Sequence, residues 1–347
     1  MAEIAVSPKL QAVSKIKEVA WGVASTGAVM AAVRLGVADA LGDEPARAED
    51  LASGVKADPQ TLTRLLNALV YRGVFDRDDD GCYRHNELSR LLRADDPNSV
   101  TCLVQWIGAA CLAPLWPRVD DAVRSGKAIF PEVYGKETFQ YIHENEPETG
   151  LILSQAMTQA SNHTSVALAE GLDLTGVRKA ADIGGGHGHL LRTILERYPQ
   201  VRGALMDLPA VVAGADRELR EGRLASRCEI VGGDCRKAVP IEADLYTAKN
   251  ILEWKDEYTV ATLRNIVASA PAGARVVIIE TLTDYTPEPV VTTALDLLLL
   301  LNGGGRKHSS RDVAELFEEA GIRFVGVRPS GTFLTFAEGV VPDGRST

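Results

Sequence analysis

Between Lys179 and Leu190 the chain reads KAADIGGGHGHL, an apolar run ending in three glycines, with a fourth two residues on. Glycine reaches left-handed backbone conformations without steric penalty, so this stretch predicts a tight turn from a buried strand into a helix, with bare backbone offered to a ligand. The segments around it carry the same grammar. After Leu172, apolar runs (KAADIG, RGALMDL, CEIVGGD, DLYTAKNIL, ARVVIIETL) alternate with helical patterns (HLLRTILERYP, AVVAGADREL, YTVATLRNIVASA). That alternation predicts a Rossmann-like, doubly wound parallel α/β sheet, to which SRDVAELFEEAGIRFVGVRPSGTFLTFAEG adds a helix and a terminal strand pair.

Upstream the periodicity is helical. Residues 1–97 read as short helices followed by a hairpin. Asp58-Pro59 caps one helix, Gly73 closes it, and GVFDRDDDGCYRHN forms two strands around an acidic turn ending at Gly81. This is a winged-helix outline, which serves nucleic-acid binding in some proteins and dimerisation in others. The presumed recognition helix, Gln60 to Arg72, carries only Arg64 and Arg72, the wing is acidic, and the net charge of the chain is −10, so no nucleic-acid partner is expected. Residues 98–170 are expected to bridge the lobes and line a substrate pocket, and 171–347 to form the sheet domain. The five cysteines are odd in number and contain no CxxC pair, and no signal-peptide pattern is seen, which points to reduced thiols and the cytoplasm. The longest aliphatic run, Leu295 to Leu301, contains Asp296 and is far shorter than the roughly 20 residues that span a bilayer, so no membrane association is expected.

The glycine turn by itself fits NAD, S-adenosylmethionine or no ligand. Asp207, 21 residues beyond Gly186, ends the next strand, where a carboxylate accepts ribose hydroxyls in either case. Asp182 precedes the glycines, where it suits a cationic methionine group better than a phosphate. Gly233-Asp234 and Lys249 end the following strands. Together these favour adenosine recognition.

The segments ADIGGGHGHLLRTILERYPQVRGALMDLPAVV, RCEIVGGDCRKAVPIEADLYTAKNIL and DLLLLLNGGGRKHS resemble the small-molecule O-methyltransferases of plant natural-product and bacterial antibiotic pathways, from about Trp21 to Phe336. The resemblance implies a homodimer built through the N-terminal domain and S-adenosylmethionine as cofactor. It implies cofactor contacts from Gly184, Gly186, Asp207, Leu208, Gly233, Asp234 and Lys249, with Met157 and Ser161 near the methionine end. Cys235-Arg236 stands where the family often has Met-Phe against adenine, so stacking is weakened there or supplied by Trp254.

The catalytic half departs from that pattern. The family follows its fourth strand with Leu-His-Asp-Trp-Asp-Asp-Glu, whose His removes the acceptor's proton. Here the stretch is KNILEWKDEY, with Leu252 at the His position or the segment one residue short. One of the two carboxylates that orient that His survives as Glu280, and the other is replaced by Arg306. Glu253, Glu280, His308 and His163 are the candidate substitute bases. Trp106, Trp116, Phe139, Asn250 and Asn302 are candidate acceptor contacts, and Trp106, Trp116, Phe139 and Tyr141 of the bridging helices are candidates to wall an aromatic acceptor. No HxxxH or carboxylate-rich spacing suggests a metal, and none is expected to be required.

A phenol with pKa near 10 needs a base worth roughly 10² to 10⁴ in rate. An amine or electron-rich carbon attacks first and loses its proton afterwards. The expected function is therefore methyl transfer to a small aromatic secondary metabolite, at carbon or nitrogen rather than by His-assisted O-methylation. The alternative is an enzyme that binds the cofactor but catalyses a hydroxylation, decarboxylation or rearrangement. A winged-helix regulator and an NAD oxidoreductase are the remaining readings.

Overall fold

The computed structural model describes residues 7–343. The chain sorts into two compact units, one comprising residues up to Ala113 with Pro147–Gln159, the other Pro114–Glu146 with the chain from Ala160 onward. The expected bridge over 98–170 is thus shared between the two. Its long helix, Pro147–Gly171, gives its first half to one unit and the rest to the other.

In the first unit, the Asp58 carboxylate accepts the Thr61 N–H at 2.8 Å, with Pro59 in the first turn, and the helix Pro59–Val70 begins where those residues predict. Leu62, Leu66 and Leu69 fall on one face and share a core with Val37, Leu41, Leu51 and Phe75. The hairpin strands β1 (Asp76–Arg77) and β2 (Tyr83–Arg84) pair antiparallel, and the Asp78 carboxylate closes their turn by accepting the Cys82 N–H at 2.8 Å. Arg72 lies beyond the helix and is tied back, donating to Ser25 Oγ at 2.6 Å and to the Ala68 carbonyl at 2.8 Å. The helix Pro8–Ala20 buries none of its residues, and Leu10, Ile16, Val19 and Trp21 are all exposed. Among the described residues, no single helix is long and apolar enough to cross a membrane.

The second unit holds a seven-stranded sheet. Its strands are β3 (Lys179–Ile183), β4 (Arg202–Asp207), β5 (Cys228–Gly232), β6 (Leu245–Lys249), β7 (Arg275–Glu280), β8 (Arg323–Pro329) and β9 (Thr335–Val340). Their order is β5-β4-β3-β6-β7-β9-β8. The first five are parallel, as the strand and helix alternation predicts. β9 runs antiparallel to both neighbours, so the sheet is mixed. The short connection from Pro329 to Thr335 cannot make the crossover that parallel strands require, and β8 and β9 form a hairpin whose second strand docks on β7.

Along β3, Ala180 joins the core on one face with Leu190, Leu191 and Ile194 of the helix His189–Arg197. Ala181 and Ile183 join the other, with Leu263 and Phe317 of the helices Asp256–Ser269 and Ser310–Glu319. Helices cover both faces, which is the doubly wound arrangement. The strand order reverses at β3, and the carboxyl ends of β3, β4 and β6 bracket the point where ligands of such sheets bind.

Candidate functional site

Those three strand ends carry the residues that the spacing singled out. Gly184 and Gly186 both adopt left-handed φ, +64° and +60°. A Cβ on Gly184 would lie 2.6 Å from Ile251, whereas one on Gly186 would meet nothing within 4 Å, so the turn is packed on one side and open on the other. Asp207 ties this turn in place. Its Oδ2 accepts the Gly186 N–H at 2.8 Å and its Oδ1 the Leu208 N–H at 2.7 Å, while its own carbonyl accepts the Gly233 N–H at 2.9 Å. Burial raises its pKa despite these bonds. Each carboxylate oxygen keeps further acceptor capacity, which suits a vicinal diol.

Asp182 sits beneath the turn, 1 % exposed. Thr247 on β6 donates to its Oδ1 at 2.8 Å, and its Oδ2 faces Gly185 closely enough that a Cβ there would come within 2.5 Å. Burial pushes its pKa up to about 6. Thr247→Val is expected to destabilise the protein by about 1–3 kcal/mol at pH 7, the cost of leaving a buried acceptor unpaired. The loss should shrink near pH 5, where Asp182 is protonated; denaturant unfolding at the two pH values checks this.

Lys249 is part-buried, its desolvation lowers its pKa, and its Nζ donates to Ser161 Oγ at 2.7 Å. The structure thus joins two residues 88 positions apart. Asn250, next along, takes a left-handed φ of +53°, which Asn tolerates better than most residues, and its side chain is exposed.

At the β5 end, Asp234 is clasped by Arg236 through Nε to Oδ1 and Nη2 to Oδ2, both at 2.9 Å, and this pairing lowers its pKa. The same guanidinium lies 5.6 Å from the ring centroids of Trp254 and Tyr258. Trp254 therefore faces Arg236, a cation–π contact that the Cys235-Arg236 pair did not announce. Cys235 is buried, and its carbonyl accepts from Asn265 at 2.9 Å. Met157 lies in the first unit, half exposed.

The rewritten half of the site is a second cluster. Leu252 is buried and its N–H donates to Glu280 Oε1 at 2.9 Å. Glu280 Oε2 is buried with no partner among the described residues. Burial, reinforced by the charge of Glu253, pushes Glu280 up to about 8. Glu253 is ion-paired with Lys307 Nζ. Lys307 was not singled out from the sequence, because a lysine after Gly-rich chain reads as a solvated charge.

His308 is buried, and its Nε2 is engaged by Asp256 Oδ1 at 3.1 Å while burial lowers its pKa. Arg306 turns to Asp256 at 2.8 Å and Asp312 at 3.0 Å. His163 keeps a buried Nε2 without a partner among the described residues, as does Asn302 at Oδ1; the Asn302 carbonyl accepts from Thr138 at 3.0 Å. Of the proposed aromatic wall, Trp106 is buried in the first unit, while Trp116 and Phe139 are exposed on the second, Phe139 by 71 %. The aromatics that do cluster are Phe130, Tyr134 and Tyr141, with centroids 4.4–5.6 Å apart, a group held together by two short helices after Gly126.

Residues 116–323 match the O-methyltransferase domain family, and residues 18–95 match the O-methyltransferase dimerisation domain. The chain is 35 % identical to a mitomycin biosynthesis 6-O-methyltransferase of Streptomyces lavendulae, over 92 % of this chain and 91 % of that protein. It is 30 % identical to a phenazine-1-carboxylate N-methyltransferase of Pseudomonas aeruginosa, over 90 % and 92 %. A crystal structure of a methyltransferase in calicheamicin biosynthesis, in its S-adenosylhomocysteine-bound form, superposes with TM-score 0.87 at 28 % identity, covering 97 % of this chain and all of that one. The open glycine turn, the Asp207 carboxylate beside it and the part-buried lysine at the β6 end fit an adenosine-bearing sulfonium cofactor, and the chain belongs to the O-methyltransferase family, as an S-adenosylmethionine-dependent methyltransferase.

Proposed function

We propose that this enzyme methylates a nitrogen or carbon of a small aromatic natural-product acceptor, with Glu280 receiving the proton. The cofactor, when bound, supplies an electrophilic methyl group. Asp207 would hold the ribose, Gly186 would leave room above the turn, and Lys249 with Ser161 would order the opposite side. The observation that carries the preference is Glu280, a buried carboxyl with one oxygen committed to Leu252 and the other unpartnered.

Burial pushes the Glu280 pKa up to about 8, so its ionised form is a stronger base than an ordinary carboxylate. Forming a phenolate requires that ionised form before methyl transfer. An aromatic amine or activated carbon attacks as the neutral molecule, and the cationic product sheds its proton readily. The relatives named above include enzymes of both O- and N-methylation. We place the dimer contact on the N-terminal unit, where Leu10, Ile16, Val19 and Trp21 stand exposed beside or within the dimerisation-domain match.

Incubation with methyl-labelled S-adenosylmethionine and matched aromatic phenols, amines and enol-like carbons tests this reading. Label on nitrogen or carbon is expected. Label confined to phenolic oxygen overturns the atom preference. A product that differs by anything other than one methylene, with the cofactor unconsumed, supports the non-methylating alternative.

A further inference from the structure

Beside Glu280 and Glu253 the chain buries a cation. The Lys307 side chain is 1 % exposed and its Nζ pairs with Glu253 Oε1, itself 14 % exposed. Two features force the lysine inward. A side chain on Gly305 would overlap the Glu253 carbonyl oxygen, so only glycine lets this loop close on Glu253 and Trp254. The Lys307 N–H then donates to Asp296 Oδ1 at 2.6 Å, which fixes the backbone from the helix Pro289–Gly303. Asp296, the one charge inside the aliphatic run, thus has a structural task.

The charges acting on Glu280 from its neighbours are those of Glu253, which raises its pKa, and Lys307, which lowers it. Nearby carboxylates have partners other than Glu280. Asp256 holds Arg306 and His308, Asp312 holds Arg306 and Ser309, and Asp284 holds Ser310. A buried ammonium and a buried carboxylate are each costly alone and tolerable as a pair. With Lys307 committed to Glu253, Glu280 is the member of the cluster left to change its charge.

We propose that Lys307 is a positioning residue for proton transfer: by neutralising Glu253 it makes Glu280 Oε2 the one oxygen that takes up the acceptor's proton. The proposal rests on the reading of Glu280 given above. In the step, the acceptor atom forms its bond to the methyl carbon, the carbon–sulfur pair stays on sulfur, and the acceptor's proton forms an O–H bond at Oε2. Glu280 goes from −1 to neutral and later returns the proton to water, while Glu253 and Lys307 keep their charges.

The two partners of the pair must act on Glu280 with opposite sign. Lys307→Met removes the cation and should raise the Glu280 titration by about one pH unit or more, whereas Glu253→Gln removes the competing anion and should lower it. Lys307→Arg should stay close to wild type. The infrared carbonyl band that Glu280→Gln abolishes reports the titration directly in the cofactor-free enzyme, and the pH–rate profile reports it in turnover, with kcat rather than KM affected. Shifts of opposite sign support the proposal; no shift, or shifts of the same sign, overturn it. If Lys307→Met does not fold, the downward shift in Glu253→Gln against an unmoved Lys307→Arg decides. A band that stays put while Glu280→Gln is inactive overturns the role of Lys307 alone. A band that moves as expected while Glu280→Gln keeps full activity overturns the proton-acceptor reading of Glu280 and, with it, any catalytic part for Lys307.

Discussion

Asp207→Ala is expected to weaken S-adenosylhomocysteine binding by roughly 2–4 kcal/mol, a factor of about 30 to 1000 in Kd. Two losses add. The carboxylate proposed to accept the ribose hydroxyls disappears, and the Gly186 and Leu208 N–H groups lose the oxygens that they donate to at 2.8 and 2.7 Å. The glycine turn then holds to β4 only through the Gly184 and Gly185 N–H groups on the Met206 carbonyl, and binding must re-order its Gly186 end. Asp207→Asn should fall between, since it keeps one acceptor oxygen and turns an NH₂ toward one of the two backbone donors. Calorimetric titration measures both variants; a change under about threefold in the alanine variant removes the ribose role from Asp207.

Glu280→Gln should move stability and activity in opposite directions. A carboxyl whose pKa is raised from 4.5 to about 8 by folding holds its proton in the native state while the unfolded chain releases it. Its contribution to stability is therefore complete below about pH 4.5 and is lost as pH rises to about 8, a decline of order 3–5 kcal/mol. Glutamine carries no such proton, keeps an oxygen for the Leu252 N–H, and should flatten this part of the curve, leaving the variant the more stable protein at pH 8. If Glu280 takes the acceptor's proton, the same change lowers kcat by roughly 10² to 10⁴. Chemical denaturation from pH 5 to 9, with wild type and variant side by side, isolates the group from Asp182 and Asp207, whose pKa values are also raised by burial. Parallel stability curves would remove Glu280 as a buried titrating acid.

That the candidate cofactor residues lie at neighbouring strand ends was readable because that geometry is built locally. A glycine turn, a carboxylate at the next strand end and a lysine at another each sit at fixed places in a repeating strand–helix unit, so their meeting follows from the sheet order. Trp254 was placed near the adenine position without its partner, because the guanidinium of Arg236 reaches it only after folding around Asp234. Trp116 and Phe139 are exposed, and the cluster of Phe130, Tyr134 and Tyr141 depends on how two short helices pack after Gly126 and Gly135 turn the chain through left-handed φ.

The amino-acid order by itself determined the doubly wound sheet, the capped helices of the N-terminal unit, the hairpin and the glycine turn. All of these rest on hydrophobic period and backbone preference within a few residues, which a linear chain displays. It also shows no histidine in the stretch KNILEWKDEY that follows β6. What stands in the gap was decided by tertiary structure alone, because charge state depends on burial and on neighbours far along the chain. Lys307 carries no sign of burial in the sequence, and only the fold turns it inward against Glu253 through Gly305 and Asp296; Glu280 is a candidate base by sequence, and only the fold buries it.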